Sequence, residues 1–229
     1  MKTQDELKKA AAEKAAEFVK DGMTLGLGTG STVFYLLEAV AKRMRTEHLR
    51  IRGVATSSRT AKQATDLGIP MLDLNDVDHI DMCIDGADEI DTNFQGIKGG
   101  GAAHTLEKMV ATNSRRNIWI VDESKLVENL GKFPLPTEVI PFGRKHVYDK
   151  LEQEELNPKW RLDGDGNPVI THNGNYVLDL YTGLIKHPHL LKAFLDQQVG
   201  LLEHGLFLDL VDIVVVGRQN GPEVLQAVR

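Results

Sequence analysis

The stretch IKGGGAAHTLEK, residues 97–108, contains a lysine, three consecutive glycines and then a predicted helix with a glutamate one turn in. Glycine costs conformational entropy, so such a run indicates a backbone that needs positive φ or a close approach by another group. Lys98 brings a positive charge, and the N–H groups of Gly99, Gly100 and Gly101 can face an oxyanion. Glu107 can accept a proton, although taken singly it is better explained as a solvated helix glutamate.

The stretch GLGTGSTV, residues 26–33, places small residues and hydroxyls just before a predicted helix. It is not a nucleotide motif, because Ser31 stands where a dinucleotide fingerprint has its last glycine and the Gly-Lys pair of a P-loop is absent. What remains is a helix N-terminus with the hydroxyls of Thr29, Ser31 and Thr32 around Gly30, which suits a phosphate or carboxylate. A tight turn capped by Ser31 or Thr32 is the alternative.

The stretch DGADEID, residues 85–91, is strongly acidic. It lacks the spacing of an EF-hand, and no HxxxH or HExxH pair occurs among the eight histidines, so we expect no metal. Carboxylates such as Asp85 and Asp88 also accept hydrogen bonds from sugar hydroxyls, and one of them can relay a proton. A solvated acidic turn is the alternative.

These stretches follow apolar segments that alternate with helical ones. After a helix over residues 4–20, the sequence predicts strands at 23–27, 51–55, 80–84 and 117–121 with helices between them. That order predicts a Rossmann-like α/β fold with a parallel sheet. Ligands of such sheets bind beyond the carboxyl ends of the strands, where GTGST, TSS, DGADEID with KGGG, and DESK all fall.

The proline-rich stretch GKFPLP after residue 130 predicts a domain boundary. Residues 131–204 are expected to form a small α+β domain, with strands at EVIPF, PVITH and YVLDL and helices near 143–155 and 188–198. The apolar run VDIVVVG at 211–217 is typical of a buried parallel strand. We therefore expect it to return to the first sheet, so that the sheet domain comprises residues 1–130 plus 205–229.

Composition excludes several classes of partner. With 27 Lys+Arg against 33 Asp+Glu, the formal net charge is -6, and no basic cluster with aromatic residues predicts nucleic acid binding. The charged N-terminus and the lack of a long apolar run predict a cytoplasmic protein without membrane association. The single cysteine, Cys83, is better explained as a buried strand residue than as a nucleophile.

Five motifs together resemble one family. GLGTGST, DGADEID, KGGGAA with a downstream glutamate, DESK and GKFPLPTEVIPF occur in the order and at about the spacing of ribose-5-phosphate isomerase type A. The resemblance covers nearly the whole chain. It implies interconversion of ribose 5-phosphate and ribulose 5-phosphate, a step of the non-oxidative pentose phosphate pathway, without a cofactor. It also implies a sheet domain joined to a small α+β domain, in a homodimer or homotetramer.

The resemblance also assigns residues. It places the general base at Glu107, with Lys98 stabilising negative charge and Asp85 passing a proton between the substrate oxygens. The substrate-binding residues that it implies are Thr29, Gly30, Ser31, Thr32, Asp85, Gly86, Ala87, Asp88, Lys98, Gly99, Gly100, Gly101, Lys125 and Lys8. The chain departs from the family pattern at His104 and Leu106, beside the glutamate, and at His172 in the small domain.

Two other functions fit part of the pattern. A coenzyme A transferase on a similar sheet would use a glutamate as nucleophile, but the sequence shows no large basic groove for the coenzyme. A sugar-phosphate sensor of the kind found in repressors would bring a DNA-binding segment, and no helix-turn-helix precedes residue 23. An assay with ribose 5-phosphate separates the three functions.

Overall fold

The structure, a computed structural model, describes residues 1–227, which fall into two compact units. The parallel unit comprises Met1–Ala87, Leu106–Leu126 and residues 210–227, and the antiparallel unit comprises Asp88–Thr105 and Val127–Asp209. The helices are α1 (Gln4–Ala16), α2 (Ser31–Glu47), α3 (Ser58–Asp66), α4 (His104–Thr112), α5 (Arg144–Gln153) and α6 (Pro188–Leu195). The strands are β1 (Thr24–Leu27), β2 (Arg52–Ala55), β3 (Met82–Asp85), β4 (Glu89–Ile90), β5 (Gly96–Ile97), β6 (Asn117–Asp122), β7 (Leu135–Val139), β8 (Pro158–Trp160), β9 (Tyr176–Leu180), β10 (Leu201–His204), β11 (Leu206–Phe207), β12 (Ile213–Gly217) and β13 (Glu223–Gln226).

The parallel unit is built on a six-stranded sheet in the order β13-β12-β6-β3-β1-β2. All neighbours in it are parallel except the edge strand β13, which is antiparallel to β12. The predicted return of VDIVVVG to this sheet is confirmed, because Val215 in β12 pairs with Ile120 in β6. The predicted α/β fold class is likewise confirmed. The sequence did not predict β13, whose half-exposed residues lack the apolar run of a central strand.

The N-terminal helix is shorter than predicted. Thr3 and Glu6 form a capping box at the start of α1, and the buried face of the helix carries Leu7 and four alanines. The helix ends at Ala16, and Phe18 and Val19 then continue in turns that hydrogen-bond to Ala15 and Ala16. Their side chains still pack in the core, so the apolar period extends beyond the helix.

The antiparallel unit contains two small sheets, in the orders β10-β7-β9-β8 and β11-β5-β4. The predicted strand EVIPF is displaced, since β7 runs from Leu135 to Val139. The strand therefore begins three residues earlier than predicted and ends before Ile140. The predicted strand PVITH is wrong as a strand, because only isolated bridges occur there, at Pro168 and Ile170.

Residues 88–105 belong to the antiparallel unit, whereas the sequence placed them in the sheet domain. The reason is that β4 pairs with β5, and β5 pairs with β11, more than a hundred residues away along the chain, instead of joining the parallel sheet. Two-residue strands carry no detectable periodicity, so the sequence could not show this pairing. The division into a sheet domain and a 131–204 domain stays a proposal.

Each unit has its own apolar core. In the parallel unit, α1 and α2 pack against strand residues such as Leu25, Ile84 and Ile118. In the antiparallel unit, Leu178 lies in a second cluster with residues of α5 and α6. Cys83 is buried in β3, as predicted. Among the described residues, no helix combines the length and the apolar character needed to cross a membrane.

Candidate active site

The carboxyl ends of β1, β2 and β3 meet in one hydrogen-bonded group. Thr29 follows β1, Thr56 follows β2, and Asp85 is the last residue of β3. The hydroxyls of Thr29 and Thr56 are 2.7 Å apart, and the backbone N–H of Thr29 donates to Oδ1 of Asp85 at 3.0 Å. The structure therefore brings GTGST, TSS and the first residue of DGADEID together, as expected for parallel strand ends.

Asp85 is fixed and almost fully buried, with 2% of its surface exposed. Its Oδ1 also accepts a hydrogen bond from the backbone N–H of Gly86 at 2.7 Å. A Cβ atom on Gly28 would lie 1.9 Å from the same oxygen, so this position in GLGTGST requires glycine. Gly28 of GLGTGST thus makes room for the carboxylate of Asp85 in DGADEID.

The α2 helix begins without a side-chain cap. Its N-cap residue is Gly30, with φ of 131°, which has no side chain to accept a hydrogen bond from the first turn. The alternative of a cap by Ser31 or Thr32 is therefore wrong. Because backbone N–H groups at a helix start need acceptors, an uncapped first turn with the buried Thr32 hydroxyl beside it suits an anion.

Glu107 lies on the buried face of α4 and is 4% exposed, which overturns its interpretation as a solvated residue. Val110 of the same helix packs on β1, where a Cβ on Gly26 would lie 2.6 Å from Val110 Cγ1. Glu107 precedes Val110 by three residues, or about 4.5 Å along the helix. Gly28 follows Gly26 by two residues, about 6.6 Å toward the carboxyl end of the strand, and it faces Asp85. A crossover helix runs antiparallel to its strands, so Glu107 lies near the level of Asp85.

Lys98 lies in the antiparallel unit and is 3% exposed. Its backbone N–H donates to the carbonyl of Gly205 at 2.9 Å, and its ammonium lies 5.3 Å from the centre of the Phe207 ring. Gly99 has φ of 104°, and a Cβ there would lie 2.8 Å from Nδ1 of the fully buried His104. His104, at which the chain departs from the family pattern, therefore packs directly against the glycine loop.

The glycine loop is clamped by an arginine that no motif indicated. Arg161 donates from Nη1 to the carbonyls of Gly99 at 2.8 Å and Gly100 at 3.0 Å, while its Nε donates to Asp179 at 2.8 Å. The backbone N–H of Gly100 donates to Oδ2 of Asp88 at 2.7 Å. The N–H of Gly100 therefore already has an acceptor, so the N–H groups of Gly99 and Gly101 remain as candidates for the predicted oxyanion contact.

The remaining acids of DGADEID hold loops. Glu89 is 3% exposed and accepts hydrogen bonds from the backbone N–H groups of Gly131 at 2.8 Å and Phe133 at 2.6 Å. Asp91 accepts from the N–H groups of Asn93 and Gln95, each at 2.9 Å. The solvated-turn alternative is therefore wrong for Glu89, whereas Asp91 is partly exposed. Within residues 1–227, no group of three or more His, Cys, Asp or Glu side chains is arranged to hold a metal ion.

The DESK motif lies at the carboxyl end of β6. Asp122 accepts a hydrogen bond from the N–H of Ser124 at 3.0 Å and another from Nε2 of Gln4 at 3.3 Å. The first bond forms the cap of a short 3-10 turn that contains Lys125. The second ties this turn to the start of α1.

The same edge of the sheet carries Lys8. A Cβ on Gly217, the last residue of β12, would lie 2.0 Å from the carbonyl oxygen of Leu7, so α1 contacts the strand end closely. The Lys8 side chain is 14% exposed, and its ammonium lies 3.7 Å from Asp5. The structure thus brings Lys8 and Lys125 to the ends of β12 and β6, with β3 between them and GTGST.

The fold and these contacts define a class, an α/β protein with hydroxyls, two buried carboxylates and an uncapped helix start at its strand ends. Such groups are of the kinds that can bind a small anionic ligand and transfer a proton. Comparison with known proteins narrows the class to one family.

The family model of ribose 5-phosphate isomerase A (phosphoriboisomerase A) matches residues 52–221. The chain is 62% identical over 226 residues to ribose-5-phosphate isomerase A of Lacticaseibacillus paracasei, with 99% of each chain covered. It also resembles the structure of ribose 5-phosphate isomerase A from Methanocaldococcus jannaschii, with a TM-score of 0.93, 38% identity, and 98% and 100% of the two chains covered. A structure of D-ribose-5-phosphate isomerase in complex with phospho-erythronic acid gives a TM-score of 0.95 at 38% identity and the same coverage. The chain belongs to the ribose 5-phosphate isomerase A family, which confirms the family predicted from the motifs.

Proposed function

We propose that this chain interconverts D-ribose 5-phosphate and D-ribulose 5-phosphate through an enediolate, with Glu107 as the base. Membership of the family makes it an aldose-ketose isomerase. The observation that carries the assignment of the base is the burial of Glu107 on the face of α4 that packs against β1, beside the strand ends. A carboxylate in that place can reach a ligand held by the strand-end loops.

The ligand of a similar protein supports the substrate class. Phospho-erythronic acid, bound in the similar ribose-5-phosphate isomerase structure, is a phosphorylated four-carbon sugar acid. Its carboxylate carries two oxygens and a negative charge on one carbon, much as an enediolate carries oxygens and charge on adjacent carbons. We therefore propose that this chain binds an open-chain sugar phosphate whose reacting end becomes anionic.

The chemistry follows from the groups at the strand ends. Glu107 takes the proton from C2 of the open-chain aldose and returns it to C1, so that the aldehyde becomes an alcohol and C2 becomes the ketone. Asp85 moves the hydroxyl proton between the two oxygens. The roles of Lys98 and of the Gly99 and Gly101 N–H groups in stabilising the anion are a proposal that rests on the family resemblance.

The phosphate seat that we propose is the start of α2. Its first turn has no side-chain cap, and Thr32 adds a hydroxyl there. Lys8 and Lys125 lie at the same edge of the sheet, by β12 and β6. Since β6 and β1 are two strand spacings apart, about 10 Å, these lysines act on the ligand from the opposite side of β3.

A direct assay tests this function. Purified protein with ribose 5-phosphate and no added cofactor is expected to form ribulose 5-phosphate. Dialysis against EDTA is expected to leave the rate unchanged, because N–H groups and Lys98 are proposed to stabilise the charge that a cation stabilises in other isomerases. Tight binding of ribose 5-phosphate without any product would instead favour a sensor.

We also propose that the enzyme acts in the cytoplasm as a homodimer or homotetramer, which the family resemblance supports. Light scattering coupled to size-exclusion chromatography measures the mass directly. A mass equal to the 25.4 kDa of one chain would contradict the oligomer.

A further inference from the structure

Glu138 is the most completely bonded buried carboxylate of the antiparallel unit. It is 1% exposed and lies on β7, where it pairs with Val177 of β9 and Glu203 of β10. A buried charge is costly unless it is hydrogen-bonded. Four side chains donate hydrogen bonds to Glu138, and none of them carries a charge.

Three of the four donors belong to one tight turn, and all three reach the same oxygen. Oε1 of Glu138 accepts from Thr171 Oγ1 at 2.7 Å, from Asn173 Nδ2 at 3.1 Å and from Asn175 Nδ2 at 2.8 Å. The backbone N–H of Thr171 donates to the carbonyl of Asn175 at 2.8 Å, which closes the turn. Three side chains of one closed turn therefore hold this oxygen. His172 is exposed on that turn and is not among the donors.

The other oxygen faces the start of a helix. Oε2 of Glu138 accepts a hydrogen bond from the hydroxyl of Thr105. Thr105 is the second residue of α4, and Glu107 follows two residues later in the first turn. Because a helical turn moves as one body, a shift at Thr105 also shifts Glu107.

We propose that Glu138 is a positioning residue that acts through Thr105 to fix the first turn of α4 and hence the carboxylate of Glu107. The proposal rests on the proposed function, in which Glu107 is the base. Proton transfer requires a heavy-atom distance of about 2.6–3.2 Å. A displacement of about 1 Å can lower a rate by about 100-fold. The first turn of α4 is bonded through Thr105 to Glu138, whose two carboxylate oxygens are both held by hydrogen bonds. This anchoring limits the displacement of Glu107.

The test is the variant Thr105→Val, which removes the hydroxyl while keeping the volume and the branched Cβ. Thr112→Val is the matched control, because Thr112 lies in the last turn of the same helix and its hydroxyl donates only within that helix. Thr105→Ser restores a hydroxyl. We expect kcat for ribose 5-phosphate to fall about 10- to 100-fold in Thr105→Val, with KM within about twofold. The serine variant and the control should stay near wild type.

Hydrogen exchange of the α4 amides gives a readout that does not need activity. We expect faster exchange in the first turn of Thr105→Val and none of this change in Thr112→Val. Wild-type kcat in Thr105→Val, or an equal loss in Thr105→Ser, overturns the proposal. If the wild-type protein has no isomerase activity, the proposed function fails. Hydrogen exchange still tests the anchoring of α4, because an unchanged exchange rate in Thr105→Val contradicts that anchoring.

If Thr105→Val does not fold, Asn173→Ala tests the same contacts from the exposed turn. It removes one donor to Oε1 and is expected to lower kcat several-fold at unchanged KM. Unchanged kcat in this variant contradicts the role of Glu138.

Discussion

Two glycine-rich loops precede helices in this molecule, and they are built in opposite ways. The loop GTGST of the parallel unit leads into α2 through Gly30, and no side chain caps the helix. The loop KGGGA of the antiparallel unit is closed by protein groups, with Asp88 on one N–H and Arg161 on two carbonyls. The first loop leaves the start of its helix without a side-chain cap, whereas the second has one N–H and two carbonyls engaged by side chains that hold its shape.

This difference separates two uses of glycine. Gly28 is needed because a Cβ would overlap the carboxylate of Asp85, so glycine here makes room for a functional group. Gly99 is needed for its positive φ and for contact with His104, so glycine here sets a backbone path. The first loop is expected to govern how an anion binds, and the second is expected to govern how stable and well placed its surroundings are.

The largest effect is expected for Glu107, the proposed base. Glu107→Gln keeps the shape of the side chain and removes the basic oxygen, so we expect kcat to fall by roughly 10²- to 10⁴-fold or more with little change in KM. Glu13→Gln on the exposed face of α1 is the matched control. Turnover near the wild-type value would remove Glu107 from the mechanism.

A smaller effect, confined to phosphorylated substrate, is expected at the open loop. Thr32→Val removes one hydroxyl, and loss of a hydrogen bond to a charged group costs about 1.5–3 kcal/mol, or roughly 10- to 150-fold in kcat/KM for ribose 5-phosphate. The weak reaction of unphosphorylated ribose should hardly change. The measurement is the ratio of kcat/KM for the two sugars.

Thr46→Val, at the other end of α2, serves as its control, because that hydroxyl donates to the carbonyl of Lys42. Equal losses of Thr32→Val on ribose 5-phosphate and ribose would show a structural role for Thr32. The structure argues against helix capping as that role, since the N-cap is Gly30.

At the closed loop the expected effect is on stability. Arg161→Lys retains the charge but loses the planar fork that bonds Asp179 and the two loop carbonyls together. We expect the free energy of unfolding, measured by denaturant titration, to fall by about 1.5–3 kcal/mol. Lys62→Ala, which breaks an exposed pair with Asp66, should have no resolvable effect. A similar loss in both variants would mean that the clamp contributes no more than a surface pair.

The periodic parts of the fold could be predicted from the sequence, and the short pairings could not. Apolar runs such as VDIVVVG identify buried parallel strands because the residues that fill the sheet are contiguous. The strands β4, β5 and β11 have two residues each, and β5 finds its partner β11 only at a long separation along the chain. Their stability comes from tertiary contacts, which no local pattern records.

The candidate site shows the same limit. GTGST and DGADEID were found because ligand-binding loops concentrate glycines, hydroxyls and acids in a few residues. Arg161 and Glu138 were missed because their partners are distant in sequence. The available signals were Asp179 inside the apolar strand YVLDL and Glu138 inside LPTEV, since a carboxylate in a buried strand needs partners.

The smallest expected effect is a pH dependence of the Glu138 cluster. Burial raises the pKa of Glu138, but hydrogen bonds from Thr105, Thr171, Asn175 and Asn173 outweigh it, so its pKa lies below the ordinary value of 4.5. The resulting stabilisation is fully present above that ordinary value and is lost as the pH falls through the folded-state pKa. In Glu138→Gln no proton is taken up, so the gap in free energy of unfolding between this variant and wild type should narrow below about pH 4.5. Denaturant midpoints measured from neutral pH downward test this, with Glu13→Gln as control. A constant gap would show that Glu138 holds the hairpin turn and α4 by shape alone, without a contribution from its charge.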